Sequence, residues 1–221
     1  MTAETIKFAL YLLVALIPSL ALHEYAHAFL AERLGDPTAR RFGRRTLNPK
    51  THFDPFGTGL LPGLLLVLRA ANVGLPVFAY AKPQPLNPMN LRNPNRDTLW
   101  IALAGPLANL GLAIVAALAL RVLLPGQTGS PSELIRFLAA VLQVNVVLFV
   151  FNLMPIPGLD GAKILARFLH GRAREVYTNM DQYLPLFMLV IFFLLGAPVL
   201  TFVNALGNAL CNAIVGGSCL P

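Results

Sequence analysis

A chain of 221 residues that is 56% hydrophobic and only 12% charged is too apolar for an ordinary soluble domain. The net charge of +7 is carried by short basic stretches between apolar runs, a pattern that marks membrane-facing loops and argues against a nucleic-acid surface. The two cysteines, Cys211 and Cys219, sit together in the tail, which excludes a disulfide framework or a cysteine metal site and leaves at most a tail disulfide in an oxidising compartment.

In chain order, the first apolar run predicts a membrane helix over about Thr5–Leu34, stopped by Gly35 and by Asp36-Pro37. It lacks the basic start and small-residue cleavage site of a signal peptide. The basic stretch that follows reads as turns, with short β pieces allowed somewhere in 37–90. Residues 57–80 form a second apolar run, interrupted by Pro62, Gly63, Arg69, Asn72, Gly74 and Pro76. The proline-rich "KPQPLNPMNLRNPN" is incompatible with helix. Apolar segments are then expected at about Arg96–Leu124, Leu134–Leu153 and Tyr183–Leu206, with a turn-rich "MPIPGLDGAK" and a basic amphipathic piece between the last two. The fold class is therefore an all-α polytopic membrane protein of about five segments. It is read as one domain over 1–221, its core at about 5–170 and the segment 183–206 and tail peripheral, with no appended accessory domain.

The first helix carries "HEYAH". Residues four apart share a helix face, so His23 and His27 can reach one ion. Imidazole nitrogen suits zinc, and Glu24 is placed beside the first ligand as a general base. Three ionisable side chains inside an apolar helix are costly unless paired or functional; the plain alternative is an interhelical hydrogen-bond cluster. A catalytic zinc keeps three protein ligands and one open position. Among the remaining histidines and acidic residues Asp160 is the best third ligand, because Pro155, Pro157 and Gly158 break the chain there at a membrane end.

That pairing constrains topology. From Ile6 to His23 a helix rises about 26 Å, so His23 lies toward the far face of the membrane. Asp160 follows the fourth apolar run, and the two meet only if the first and fourth runs end on one side. Were every run to cross once, the basic residues would divide eight against eight, with Arg69 uncounted. A re-entrant 57–80 instead divides them thirteen against three, as the positive-inside rule favours. The site then faces the cytoplasm.

Five motifs in order, "HEYAHA", "GDPTARRFGRRTLNPKTHFDPFG", "AKPQPLNP", "AGPLAN" and "NLMPIPGLDG", resemble the site-2 protease family of intramembrane zinc metalloproteases in its small bacterial form. The resemblance covers most of 20–165. It implies one catalytic zinc ion held by His23, His27 and Asp160, with Glu24 as catalytic base. It also implies that Asn152 and Asn109 are polar groups near the scissile peptide. An amide at Asn152 can donate to a developing oxyanion; for either asparagine the alternative is an interhelical hydrogen bond. Gly105-Pro106 reads more readily as close helix packing than as a catalytic element. Gly158 stands where the family often has proline, and Gln84 where valine is common. His52 and Asp54 read as a hydrogen-bonded turn, or as groups shaping the approach to the site; His170 reads as interfacial.

The expected activity is zinc-dependent cleavage of transmembrane segments of membrane proteins, in regulated intramembrane proteolysis within a bacterial cell membrane. The partners are a transmembrane protein or peptide and the lipid bilayer, with no nucleic acid. The substrate must unwind locally, and the broken 57–80 element with "KPQPLNP" offers backbone for such a strand to pair with. The alternatives are a membrane metal-ion transporter, which requires several ligand sets along a path, and an inactive membrane scaffold.

Overall fold

The computed structural model describes residues 3–70, 81–82, 84–126 and 130–183, and from the last stretch 194, 197–198, 201–202, 204–210, 212–214 and 216. Up to residue 183 the α-helices are α1 (Ala3–Arg33), α2 (Thr38–Arg41), α3 (Leu61–Ala70), α4 (Pro94–Leu123), α5 (Glu133–Asn152), α6 (Asp160–Ala166) and α7 (Gly171–Asn179). Three of these, α1 from Lys7 onward, α4 and α5, are long and apolar enough to cross a membrane. Their outward faces carry Leu10, Val14, Ile17, Val115, Leu118 and Val122, all exposed. Such apolar surface suits lipid and not water.

The three long helices pack through small residues. Ala113, Ala116 and Ala117 of α4 and Ala139 and Ala140 of α5 are buried and let the backbones approach. Leu120 of α4, Leu142 and Val146 of α5 and Leu61 and Leu65 of α3 complete one core cluster. Leu206, Leu210 and Ile214 pack against it from the C-terminal stretch. Leu12, Leu16 and Leu20 of α1 meet Val144 and Leu148 of α5 in a second cluster.

The C-terminus of α1 is closed by a Schellman motif. Gly35, at φ +114°, lets its own N–H reach Glu32 O at 3.1 Å and the Asp36 N–H reach Ala31 O at 2.9 Å. Glu32 then anchors the basic loop, accepting from Arg40 at 3.0 Å and Arg45 at 2.5 Å.

Residues 37–90 differ from the expectation of short β pieces: no strand occurs among the described residues there. The reason is a repeated Asx-Pro unit. Asn48-Pro49, Asp54-Pro55 and Asn87-Pro88 each start a tight helical turn, the proline fixing φ and the Asx side chain accepting the N–H two residues on. Asp54 accepts from both Phe56 N and Gly57 N, so it is the turn-former read from sequence.

Two backbone hydrogen bonds tie this excursion together. The Arg92 N–H donates to Leu34 O at 3.3 Å, and the Lys82 N–H donates to His52 O at 3.0 Å. The chain that leaves at His52 is therefore back at the same level by Lys82. Of the interrupted run expected at 57–80, residues 57–70 are helical and 71–80 lie outside the described residues. Most of the segment expected at Tyr183–Leu206, and both cysteines, also lie outside them.

Asp36 clamps the two ends of the excursion. Fully buried, it accepts from the Asn87 N–H and Asn90 Nδ2, both at 2.8 Å, from the Thr38 N–H at 3.1 Å and from the Thr38 hydroxyl. Burial alone raises its pKa, but the hydrogen bonds from Asn90, Thr38 and Asn87 outweigh it and hold the carboxyl below its ordinary value. A depressed native pKa contributes stability that is complete above the unfolded value of about 3.9 and is lost as pH falls through the native one. Asp36→Ala is expected to destabilise the micelle-purified protein by about 2–4 kcal/mol at pH 7. The gap in thermal midpoint from wild type should shrink as pH drops below that unfolded value. A gap independent of pH would show that the Asp36 charge does not hold the loop.

Candidate metal centre

His23 and His27 lie one helical turn apart on the buried face of α1, where the four-residue spacing put them. Asp160, the first residue of α6, reaches the same point from the turn after α5. Its Oδ2 is 3.0 Å from His23 Nε2 and 2.9 Å from His27 Nε2, and the two Nε2 atoms are 3.1 Å apart. All three residues are buried.

The partners of the other ring nitrogens decide what this cluster is. His27 Nδ1 faces Ile101 O at 2.6 Å; a carbonyl only accepts, so Nδ1 carries a proton, and in the neutral imidazole Nε2 is left as a lone pair. His23 Nδ1 faces Asn109 Oδ1 at 2.6 Å, with the same consequence. Two imidazole lone pairs and a carboxylate oxygen thus point at one another at about 3 Å. Three acceptors repel at that distance unless a cation lies among them. Ligands about 2.0–2.1 Å from a tetrahedral zinc sit about 3.3 Å apart, close to what is seen. The donor set of two nitrogens and one oxygen fits zinc, and no other group of three such ligands occurs among the described residues.

Two glycines make room for this arrangement. A Cβ on Gly105 would overlap His27 Nε2 and lie 2.6 Å from His23 Cε1 and Nε2. The glycine of "AGPLAN" therefore clears space for the imidazoles, which the packing reading did not anticipate. A Cβ on Gly161 would overlap the carbonyls of Leu153 and Met154, so the residue after Asp160 must also be glycine for α6 to fold back. Gly158, in the turn that delivers Asp160, has φ +92°, a conformation closed to proline.

The ligands open onto a small cleft of about 30 Å³, also lined by Leu20, Glu24, Ala81, Gln84, Asn152 and Lys163. That holds a water or two and not a peptide. Glu24 Oε2 is buried here with no hydrogen-bond partner. A carboxylate oxygen left unpaired beside the ligands has a proton acceptor's position. Gln84 Nε2 lies 3.2 Å from Glu24 O and 3.3 Å from His52 Nδ1, linking the proline-rich loop to α1. His52 in turn donates from Nε2 to Thr46 O at 2.8 Å.

Asn152 lines the cleft, its amide donating to Leu148 O at 2.9 Å. Asn109 lies behind His23 instead. His170 is exposed at the start of α7. A larger, mainly apolar cavity of about 380 Å³ adjoins the cleft, sharing Leu20 and Ala81 with it and bounded by Ile17, Ala21 and Phe53.

Three groups were missed in the sequence. Lys163 binds the second oxygen of Asp160 at 2.8 Å, a partner that its i+3 position on the same helix could have signalled. Ser19 and Asn145 join Asn109 in the buried interior. The cost argument that singled out "HEYAH" applies equally to a lone asparagine within "VLQVNVVLFV".

The sequence model of peptidase family M50 matches residues 11–131 and 126–195. A Bacillus subtilis protein named "Putative zinc metalloprotease YwhC" is 37% identical over 190 residues, which cover 82% of this chain and 80% of that protein. "Putative zinc metalloprotease Rip2" of Mycobacterium tuberculosis is 35% identical over 175 residues, and its namesake in Mycolicibacterium smegmatis 33% identical over 171. The chain spans 63% and 60% of the lengths of these two. No solved structure matches.

Gly105→Ala is expected to abolish stoichiometric zinc binding, because its methyl group enters the space of both imidazoles. Zinc-to-protein ratios by elemental analysis check this; a full zinc complement in the folded variant would show that the imidazoles do not meet there.

Proposed function

The chain belongs to peptidase family M50, and from that premise we propose that it is an intramembrane zinc endopeptidase that cuts transmembrane segments of membrane proteins. The observation that carries the reading is the buried convergence of His23 Nε2, His27 Nε2 and Asp160 Oδ2 beside the unpaired Oε2 of Glu24. Zinc is the cofactor, and these three side chains are the ones that would hold it. When bound, it supplies Lewis acidity, making water a nucleophile near neutral pH and polarising a peptide carbonyl.

The chain's own groups do the rest. Glu24 takes the proton from the attacking water at Oε2 and returns it to the leaving amine. Asn152, on the wall of the cleft, has an amide N–H not committed to Leu148 and offers it to the carbonyl oxygen as negative charge develops. Lys163 holds the outer oxygen of Asp160, leaving Oδ2 to face the histidines. The cleft is too small for a peptide, so the substrate enters only where the wall at Leu20 and Ala81 gives way toward the adjoining apolar cavity. An apolar side chain beside the scissile bond suits that cavity.

The topology supports the same reading. The meeting of His52 with Lys82 returns the intervening run to the level at which it left, and we take 57–80 as re-entrant and not crossing. With that topology the positive-inside rule favours the cytoplasmic face for the basic loops and the site. A single buried cluster of three ligands among the described residues favours hydrolysis over metal transport, which requires a succession of ligand sets.

Glu24→Gln is expected to lower cleavage of a transmembrane substrate at least about a hundredfold while zinc content stays at the wild-type level. Full cleavage by the variant would remove Glu24 from the chemistry. Single cysteines placed in 37–50 and in 86–93 should react with a membrane-impermeant maleimide from the same side of sealed vesicles. Labelling from opposite sides would refute the re-entrant run.

A further inference from the structure

We propose that Asn145 and Ser19 are positioning residues that select the zinc-binding tautomer of His23. The proposal rests on the zinc reading of the site. Neither residue lines the cleft, and neither belongs to the ligand set.

His23 can bind zinc through Nε2 only if its proton sits on Nδ1. That requires the group facing Nδ1 to be an acceptor. The group is the side-chain amide of Asn109, which can present either its oxygen or its NH₂. Turned the other way, it would donate to Nδ1, move the imidazole proton to Nε2 and remove the lone pair from the metal site. Something must decide which end of the amide faces His23.

A chain of buried hydrogen bonds across three helices makes the decision. Ser19 Oγ donates to Ala15 O at 2.7 Å, one turn back on α1, so its lone pairs face outward. Asn145 Nδ2 donates to Ser19 Oγ at 2.9 Å and to Val141 O at 2.8 Å, one turn back on α5. With both N–H groups spent on acceptors, Asn145 presents Oδ1 to α4. Asn109 Nδ2 donates to that oxygen at 2.8 Å, with a longer approach of 3.4 Å to Ser19 O. Asn109 Oδ1 is thereby left for His23 Nδ1, at 2.6 Å. The direction of every bond is set by carbonyls that cannot donate, those of Ala15 and Val141. Ser19, Asn109, Asn145 and His23 are all buried, between 0% and 3% exposed, so no water can take over a broken link.

Removing the middle of the chain should therefore act on zinc through the tautomer. Asn145→Leu leaves Asn109 with only its weak contact to Ser19 O, and its amide becomes free to turn. Asn109→Asp offers a carboxylate that accepts in either orientation, so in that background Asn145 has nothing left to decide. The experiment measures zinc affinity of the detergent-purified, metal-stripped protein by competition with a chromophoric chelator, with thermal unfolding of each metal-free variant alongside.

Asn145→Leu is expected to weaken zinc binding about ten- to hundredfold, as loss of a ligand's outer partner does. The same change in the Asn109→Asp background should alter it by less than about threefold, since the two sites are then uncoupled. Ser19→Ala, which removes only the hydroxyl that holds Asn145, should give a smaller loss that also disappears in that background; it serves where Asn145→Leu does not fold. Unchanged zinc affinity in folded Asn145→Leu overturns the proposal. So does an equal loss in both backgrounds, which would make the residue a packing element. Failure of the wild-type protein to bind zinc would instead overturn the zinc reading itself.

Discussion

Three lone pairs meeting inside an apolar bundle are the constraint from which the rest of the structure follows. A carboxylate and two imidazole nitrogens at about 3 Å repel one another and stay together only around a cation. To bring them together, α1 must carry both histidines on one face, the end of α5 must lie beside the end of α1, and α4 must pass close enough behind to hold both rings. The small residues of the core are the packing side of this demand. Gly105 leaves space for the rings, and Gly161 lets α6 fold back under the end of α5.

The same constraint explains the long excursion between α1 and α4. Helices α1 and α5 run in the same direction, and the connection from α1 to α4 must begin and end on the side where the site lies. Asx-Pro turns shape the basic loop, two backbone hydrogen bonds close it, and one buried aspartate clamps its ends. Prolines at the first position of these turns are useful here, because the loop's geometry is specified by side-chain caps and not by a ladder.

How much of this could be read from the residues follows from the range of each signal. Local spacing was legible: the helical face shared by His23 and His27, the glycine stop of α1, the turn at Asp54. The approach of Asp160 to the histidines was legible at long range because two histidines need a third ligand and Pro155, Pro157 and Gly158 break the chain beside it at a membrane end. The Asn-Pro and Asp-Pro signals were legible as turns, and the β pieces allowed beside them in 37–90 do not occur among the described residues, where each Asx-Pro unit starts a helical turn. Gly105 could be seen as a close approach, but what approaches it is an imidazole from another helix, which no local pattern records. Ser19 and Asn145 have no partner within their own helices other than the carbonyl one turn back. Their meaning exists only once three helices are packed.

A polar side chain in an apolar helix has to be satisfied, and a carbonyl one turn back satisfies only part of it. The remainder is available for use at a distance. Here Ser19 and Asn145 each spend one bond on their own helix, and that bond orients the group they present to the next. Directionality passes from backbone carbonyls, whose polarity is fixed by the helix, to an asparagine whose polarity is not, and from there to a histidine. A chain of amides and hydroxyls therefore does what a carboxylate would do behind a metal-binding histidine, without placing a further negative charge in the membrane interior.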